Sequence, residues 1–331
     1  MSEQQGERRT RTAAVRIVVA VTVALAFSLG VYLILSSVQH VPALISFSFL
    51  LVLPAAVSAF IAYVADPFGE RPLGFYLAVP AFVLVAVVVV GIVFLKEGVI
   101  CVILLAPFWL ASGTAGTWAT HAIRRRLKGN TSYGFALLAL PLLAMQAERA
   151  APLPQPQTYT VSREIVVAAT PEAIWPLLRG IPDVKPGEGR WNVSQDVLGI
   201  PRPLGAHLAG DGVGAERTGR WGQQIVFREV ITQWRPDARI GWRFIFDDAT
   251  WGFQDKHLKP NSSYFRVTEG GYSLEPLGAN RTRLTLDTTY WVRTPVNAYS
   301  AAWGQLLMGD IENNLLALVK QRAEAKEGGA G

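Results

Sequence analysis

Four long, uncharged apolar runs fill most of the first 120 residues, and no other feature of the chain restricts its fold as strongly. A helix needs about 20 apolar residues to cross the roughly 30 Å hydrocarbon core of a membrane. The runs Ile17–Ser36, Val41–Val64, Leu73–Leu95 and Gly98–Ala119 all reach this length. We therefore predict that residues 17–147 form an all-α transmembrane bundle.

A fifth apolar segment, Thr131–Ala147, is shorter than the others and contains Pro141. At about 1.5 Å per residue it reaches roughly 25 Å, which suffices for a crossing if polar side chains at its ends snorkel. We predict that it crosses, which gives about five transmembrane helices. The alternative is a helix that lies at the membrane interface.

Positively charged residues predict how the bundle is oriented, because Lys and Arg collect in cytoplasmic loops. Residues 1–16 contain four arginines, and the loop after the fourth run contains Arg124, Arg125, Arg126 and Lys128. We therefore predict a cytoplasmic tail at residues 1–16 and a multi-pass protein of a bacterial inner membrane. If the fifth segment crosses, the remaining chain is periplasmic or extracytoplasmic; if it is interfacial, the remaining chain is cytoplasmic.

The composition of the apolar runs favours an anchor over a pump. They hold almost no ionisable groups, whereas proton relays and ion pathways place such groups inside the membrane. The fourth run has a patch of small residues that predicts close helix packing. The patch consists of Ser112, Gly113, Thr114, Gly116 and Thr117.

Charge and metal-ligating residues narrow the function classes. The formal net charge is +6, but residues 151–331 hold 20 Lys/Arg against 19 Asp/Glu, so the second half is nearly neutral. A nucleic-acid-binding domain has a basic patch, so we predict no nucleic-acid partner. Cys101 is the only cysteine, and no two of the four histidines lie at metal-ligand spacing. We therefore predict no metal site and no cofactor.

The second half changes to a β-rich pattern. Three prolines in residues 148–157 predict a short, stiff linker. A helix is predicted at Pro171–Arg179, with Thr170 as its N-cap. Alternating apolar residues separated by Gly, Pro and Asn predict antiparallel strands. These are Thr158–Ala168, Gly214–Trp221, Gln224–Trp234, Ile240–Phe246, Tyr264–Pro276 and Arg281–Val292.

A long C-terminal helix completes the predicted domain. We place its start at Thr294 and Pro295 and its end near Glu324. Its predicted apolar face consists of Tyr299, Trp303, Leu307, Ile311, Leu315 and Leu318. The Pro- and Gly-rich stretch from Ile181 to Gly212 is predicted to be irregular.

This order of elements resembles the helix-grip fold of the START-like, Bet v 1-like superfamily, often labelled SRPBCC or polyketide cyclase/dehydrase. The resemblance covers residues 158–326 and leaves 327–331 as a disordered tail. The residues that carry it are VSREIVVAATPEAIWPLL (161–178), GDGVGAER (210–217), QIVFREVITQWRPDARIGWRF (224–244) and YSLEPLGANRTRLTLDTTY (272–290). The resemblance implies an antiparallel sheet wrapped around the last helix, with an apolar cavity between them.

The resemblance also implies the ligand class. Members bind lipids, sterols, polyketides or other hydrophobic ligands, and a minority catalyse cyclisation, dehydration or hydrolysis. We therefore predict a membrane-anchored domain that binds a hydrophobic small molecule beside the bilayer. Two alternatives stay open: a cyclase-, dehydratase- or hydrolase-like enzyme, and a protein-docking domain whose cavity is filled by its own side chains. The sequence identifies no protein partner.

Candidate ligand contacts follow from the predicted strands and the last helix. Arg217, Glu229 and His257 lie on or near neighbouring strands, where a buried Arg–Glu pair would orient a polar group of the ligand. Glu229 and His257 are the candidate catalytic pair. The alternative is a structural ion pair and a surface histidine. The predicted apolar lining consists of Trp242, Phe244, Tyr272, Trp303 and Leu307.

Overall fold

The computed structural model describes residues 2–38, 46–66, 68–95, 99–126, 132–152, 154–222, 224–251, 259–278 and 280–328. The chain divides into two compact units, Met1–Pro154 and Gln155–Gly331. The boundary between them falls within the proline-containing residues 148–157.

The first unit is helical. Its helices are α1 (Ser2–Val38), α2 (Leu53–Ala65), α3 (Leu73–Val90), α4 (Val99–Arg126) and α5 (Ser132–Ala150), with π-helical turns at Ser48–Val52 and Gly91–Leu95. Four stretches are long and apolar enough to cross a membrane, which are Val15–Leu35, Ser48–Ala65, Leu73–Val93 and Ile100–Arg126. Four such helices are described rather than the five predicted. The fifth segment is helical, but Gln146, Glu148 and Arg149 shorten its apolar part.

Small residues allow α2 and α4 to pack closely. A Cβ atom added to Gly116 would lie 2.2 Å from the carbonyl oxygen of Ala55 on α2. A Cβ atom added to Gly113 would lie 2.8 Å from Oγ of Ser58. Backbones can come this near only where side chains are absent. The small-residue patch therefore serves helix packing, as predicted.

Helix α5 runs antiparallel along α2. At one end, the rings of Tyr133 and Tyr63 pack with their centroids 5.4 Å apart. At the other end, the Glu148 carboxylate accepts hydrogen bonds from the backbone N–H groups of Phe47 and Ser48, at 2.7 and 3.0 Å. A carboxylate there satisfies free N–H groups and favours the helix dipole. Glu148 therefore caps the helical stretch that continues into α2.

The second unit contains one seven-stranded antiparallel sheet in the order β1-β7-β6-β5-β4-β3-β2. Its strands are β1 (Gln157–Val167), β2 (Pro203–Ala209), β3 (Glu216–Trp221), β4 (Ile225–Arg235), β5 (Arg239–Trp251), β6 (Phe265–Pro276) and β7 (Thr282–Val292). The six predicted strands are confirmed. The prediction of irregular structure before Gly212 is wrong at β2, where Pro203 and Gly205 obscure the alternation and produce a register shift.

Three helices accompany the sheet: α6 (Pro171–Arg179), α7 (Val193–Asp196) and α8 (Asn297–Gly328). The Thr170 side chain caps α6 by accepting a hydrogen bond from the backbone N–H of Ala173, as predicted. Helix α8 begins at Asn297 and not at Pro295. The Asn297 side chain accepts a hydrogen bond from the backbone N–H of Thr294 at 2.6 Å, so the segment before Asn297 forms a turn.

The core of the second unit lies between the sheet and α8. Alternate residues of β7, including Leu284, Leu286 and Tyr290, are nearly inaccessible to solvent. The predicted apolar face of α8 is partly wrong, since only Leu307 and Leu318 of its six residues are fully buried. The buried positions of α8 are Ala301, Leu307, Gly309, Glu312, Asn314, Leu316, Leu318, Val319 and Ala323. A helix held by an antiparallel sheet is consistent with the predicted helix-grip fold.

Candidate functional site

Strand register brings the predicted polar residues to the inner face of the sheet. Arg217 on β3 lies opposite Glu229 on β4, and Glu229 lies opposite Phe244 on β5. The adjacent row of paired residues across the sheet contains Trp242 on β5 and Thr288 on β7. Residues two apart along a strand share a face, so these two rows are neighbours on one surface.

Arg217 and Glu229 form a buried ion pair in which each residue is 5% exposed. Nε of Arg217 donates a short hydrogen bond to Oε2 of Glu229. Nη1 of Arg217 donates to the carbonyl oxygen of Leu178 at 2.5 Å, near the end of α6. The guanidinium carbon lies 4.1 Å from the centroid of the Trp242 ring system. Arg217 therefore joins α6 to the sheet through protein groups.

An aromatic group surrounds this pair. The centroid of the Trp242 ring lies 5.9 Å from the centroid of the Phe244 ring and 5.4 Å from that of the Tyr272 ring. A Cβ atom on Gly270, opposite Trp242, would lie 2.9 Å from the indole ring, so only glycine leaves room for it. The buried Nε1 of Trp242 has no hydrogen-bond partner within the described part of the chain.

The remaining predicted lining residues lie elsewhere. Trp303 is half-buried and packs on Tyr299, with ring centroids 6.3 Å apart. Leu307 is buried but does not belong to the core cluster that contains Trp242. Among the described contacts, none joins either residue to the Arg217–Glu229 pair. His257 lies outside the described residues, so its role beside Glu229 stays a prediction.

Glu312 on α8 is a buried carboxylic acid that sequence reasoning missed. It is 1% exposed, and neither of its side-chain oxygens makes a hydrogen bond of good geometry with a described residue. Burial raises the pKa of Glu312 to about 7; the Thr288 hydroxyl, in a weak side-chain hydrogen bond outside good geometry, and the charge of Arg163 oppose this shift, and the charge of Asp287 adds to it. Such a carboxyl exists in both protonation states near neutral pH and can either donate or accept a hydrogen bond.

Tyr272 lies within electrostatic range of both Glu312 and the ion pair. Burial raises the pKa of Tyr272 strongly; the charge of Arg217 opposes the shift, and the charges of Glu229 and Glu312 add to it. All three charges therefore act on one phenol. We call Arg217, Glu229, Tyr272 and Glu312 the inner polar cluster. Within the described residues, no group of three or more His, Cys, Asp and Glu could hold a metal ion.

No protein-family model matches the chain, and no curated protein matches it. Among solved structures, the chain is similar to the Zhui aromatase/cyclase from Streptomyces sp. R1128, at 16% identity over 53% of this chain and 99% of that chain, with a TM-score of 0.34. Truncated norcoclaurine synthase from Thalictrum flavum has 16% identity, coverage of 51% and 98%, and a TM-score of 0.31. A START superfamily protein from Mycobacterium smegmatis has 17% identity, coverage of 50% and 98%, and a TM-score of 0.33. Similarities this low identify no substrate and no activity.

Proposed function

We propose that the second unit is a START-like domain that binds a hydrophobic or amphipathic small molecule, such as a lipid or an isoprenoid, beside a membrane. The observation that supports this proposal is that buried polar atoms beside aromatic rings lack hydrogen-bond partners. Nε1 of Trp242 and both oxygens of Glu312 are buried without good partners among the described residues. Apolar walls with a few convergent polar groups are typical of small-molecule sites. The sequence resemblance and the order of elements support the same assignment.

The bilayer is the proposed partner of the first unit. Phe82 on α3, Val85 on α3 and Leu143 on α5 each expose more than 60% of their surface. A soluble protein rarely leaves so many large apolar side chains in contact with water. The hydrocarbon core of a membrane accommodates such side chains without this cost. The four long apolar stretches are long enough to cross that core. The first unit therefore serves as a membrane anchor.

We also propose that α5 crosses the membrane with α2, which places the second unit opposite the N-terminus. Composition alone does not select α5, and its contacts are what support this proposal. Tyr133 lies beside Tyr63 near one end of the Ser48–Ala65 stretch, and Glu148 caps the other end. A helix that packs along the full length of a membrane-spanning helix reaches both surfaces of the membrane. The bacterial inner membrane stays a prediction from the sequence.

A cysteine-labelling experiment tests this topology. Cys101, the only native cysteine, is first replaced by Ser, and single cysteines are then introduced by Ser2→Cys or Lys185→Cys. In spheroplasts, we expect a membrane-impermeant maleimide to label the Lys185→Cys variant, and the Ser2→Cys variant only after lysis. Equal labelling or equal protection of the two variants would contradict the proposal and favour an interfacial α5.

Ligand binding is tested by filling the inner face of the sheet. Thr288 is buried on that face, while its neighbour Thr289 points to the other face of β7. We expect native mass spectrometry of the full chain, purified from membranes in detergent, to detect a retained lipid-sized adduct. The adduct should be lost in Thr288→Phe and kept in Thr289→Phe. If all three proteins retain the same adducts, the inner face binds no ligand, because lipids held by the first unit do not depend on Thr288.

The enzymatic alternative assigns proton transfer to Glu229 and His257. Glu229 is already held by Arg217 in a buried ion pair. The carboxylate is therefore already engaged by a protein group and is not free to act on a substrate. The binding function therefore has the better support.

A further inference from the structure

The carboxyl of Glu312 is an unusual component of a protein core. Burying a polar group without a hydrogen bond costs free energy, so such groups are rare and call for a specific explanation. Glu312 lies on a buried stripe of α8, and its four neighbours on that stripe are apolar or small. These are Gly309, Leu316, Val319 and Ala323.

The cation whose charge acts on Glu312, Arg163, is engaged by other groups. Arg163 on β1 donates hydrogen bonds to the carbonyl oxygens of Gln305 at 3.0 Å and Ser162 at 2.9 Å, and no ion pair joins it to Glu312 in the described chain. On β7, the two carboxylate oxygens of Asp287 accept hydrogen bonds from the Arg239 guanidinium, at 2.6 and 3.1 Å. The protein therefore supplies polar surroundings for Glu312, among them the Thr288 hydroxyl, but both carboxyl oxygens keep unused hydrogen-bonding capacity.

These surroundings select the chemistry of a ligand group. Arg163 places positive charge near Glu312, which disfavours an ammonium group. Glu312 itself repels a carboxylate or phosphate, which would also be costly to bury. A neutral hydroxyl avoids both penalties, because it can donate to the ionised carboxyl and accept from the protonated one.

We propose that Glu312 recognises the hydroxyl group of a neutral, otherwise apolar alcohol. This inference rests on the proposed function and specifies the ligand class of the same site. Nε1–H of Trp242 is a second unpaired donor on the inner face, and a hydroxyl oxygen can accept a hydrogen bond from it. The aromatic rings of Phe244 and Tyr272 supply apolar contact for the rest of the molecule.

The test compares two photoactivatable probes that differ only in the proposed contact. One is a diazirine-bearing hexadecanol and the other is its methyl ether, which has no hydroxyl donor. Each is added to the full chain in detergent, and cross-linked peptides are identified by mass spectrometry. We expect the alcohol to label β6, β7 and α8 at about tenfold lower concentration than the ether, as one charge-assisted hydrogen bond implies.

Two variants isolate the role of the carboxyl. Glu312→Gln keeps hydrogen-bonding capacity and should keep most of the preference for the alcohol. Glu312→Met has similar volume without polar atoms and should abolish it. Equal labelling by the two probes, or a preference that persists in Glu312→Met, would overturn this inference while leaving a hydrophobic site in place. If neither probe labels any peptide of the second unit in the wild type, the proposed function and this inference both fail.

Discussion

Replacing Glu229 with Gln is expected to lower the free energy of unfolding of the second unit by about 3–5 kcal/mol. The substitution leaves the Arg217 guanidinium buried without its counter-charge, in a position where it also holds the carbonyl of Leu178. A buried charge without a partner loses its hydration and regains little in return. We expect α6 to detach first, because Arg217 links it to β3.

Urea unfolding of the full chain in detergent measures this effect. Eight of the ten tryptophans lie in Gln155–Gly331, so fluorescence follows mainly the second unit. The matched control is Glu216→Gln, which breaks the solvent-exposed pair between Glu216 and Arg228 on the same two strands. Exposed pairs contribute about 0–1 kcal/mol, so this variant should unfold nearly as the wild type does.

A double variant separates the loss of pairing from the loss of the two side chains. Arg217→Met combined with Glu229→Met removes both charges and should recover much of the lost stability, since hydrophobic replacement of a buried pair is often neutral or stabilising. If Glu229→Gln unfolds at the same urea concentration as the wild type, the pair is not structural. Its role would then be the orientation of a ligand.

Local patterns in the sequence were sufficient for most of the secondary structure. Hydrophobic runs and period-two alternation depend on each residue's own burial, and these patterns located four apolar helices and six strands. The pattern failed at β2, where Pro203 and Gly205 interrupt it. It located α5 as a short apolar segment but not its place beside α2, which depends on the tertiary contacts of Tyr133 and Glu148.

The candidate site was predicted in part for a related reason. Arg217 and Glu229 were paired because they lie on consecutive strands, where antiparallel register makes neighbours of them. Glu312 was missed because the face of α8 was assigned from apolar residues alone. A spacing of three and four residues connects Glu312 to Leu316, Val319 and Ala323, and that spacing was the available signal. A glutamate on a buried stripe contradicts the usual pattern, and such contradictions concentrate at functional sites.

Glu312 should make the second unit less stable as the pH rises. Its pKa is about 7 in the folded protein against an ordinary value of 4.5, so the folded state holds its proton over a range in which the unfolded chain releases it. Below pH 4.5 the acid is protonated in both states and contributes no penalty. Between pH 4.5 and 7 the penalty grows, and above pH 7 it is constant at about 3 kcal/mol.

The variant Glu312→Gln cannot titrate at this position. The difference in free energy of unfolding between this variant and the wild type should therefore shift in favour of the variant by about 3 kcal/mol from pH 4 to pH 8. Urea unfolding at both values measures this change, and other titrating groups cancel in the comparison. Glu324→Gln on the same helix is the control, because Glu324 is partly exposed and pairs with Lys320. This control substitution should change the free energy of unfolding by less than about 1 kcal/mol at either pH. A stability difference between wild type and Glu312→Gln that is equal at pH 4 and pH 8 would show that Glu312 titrates normally. A carboxyl that titrates normally has a partner or water access, and it would then be a weak candidate for recognising a hydroxyl group.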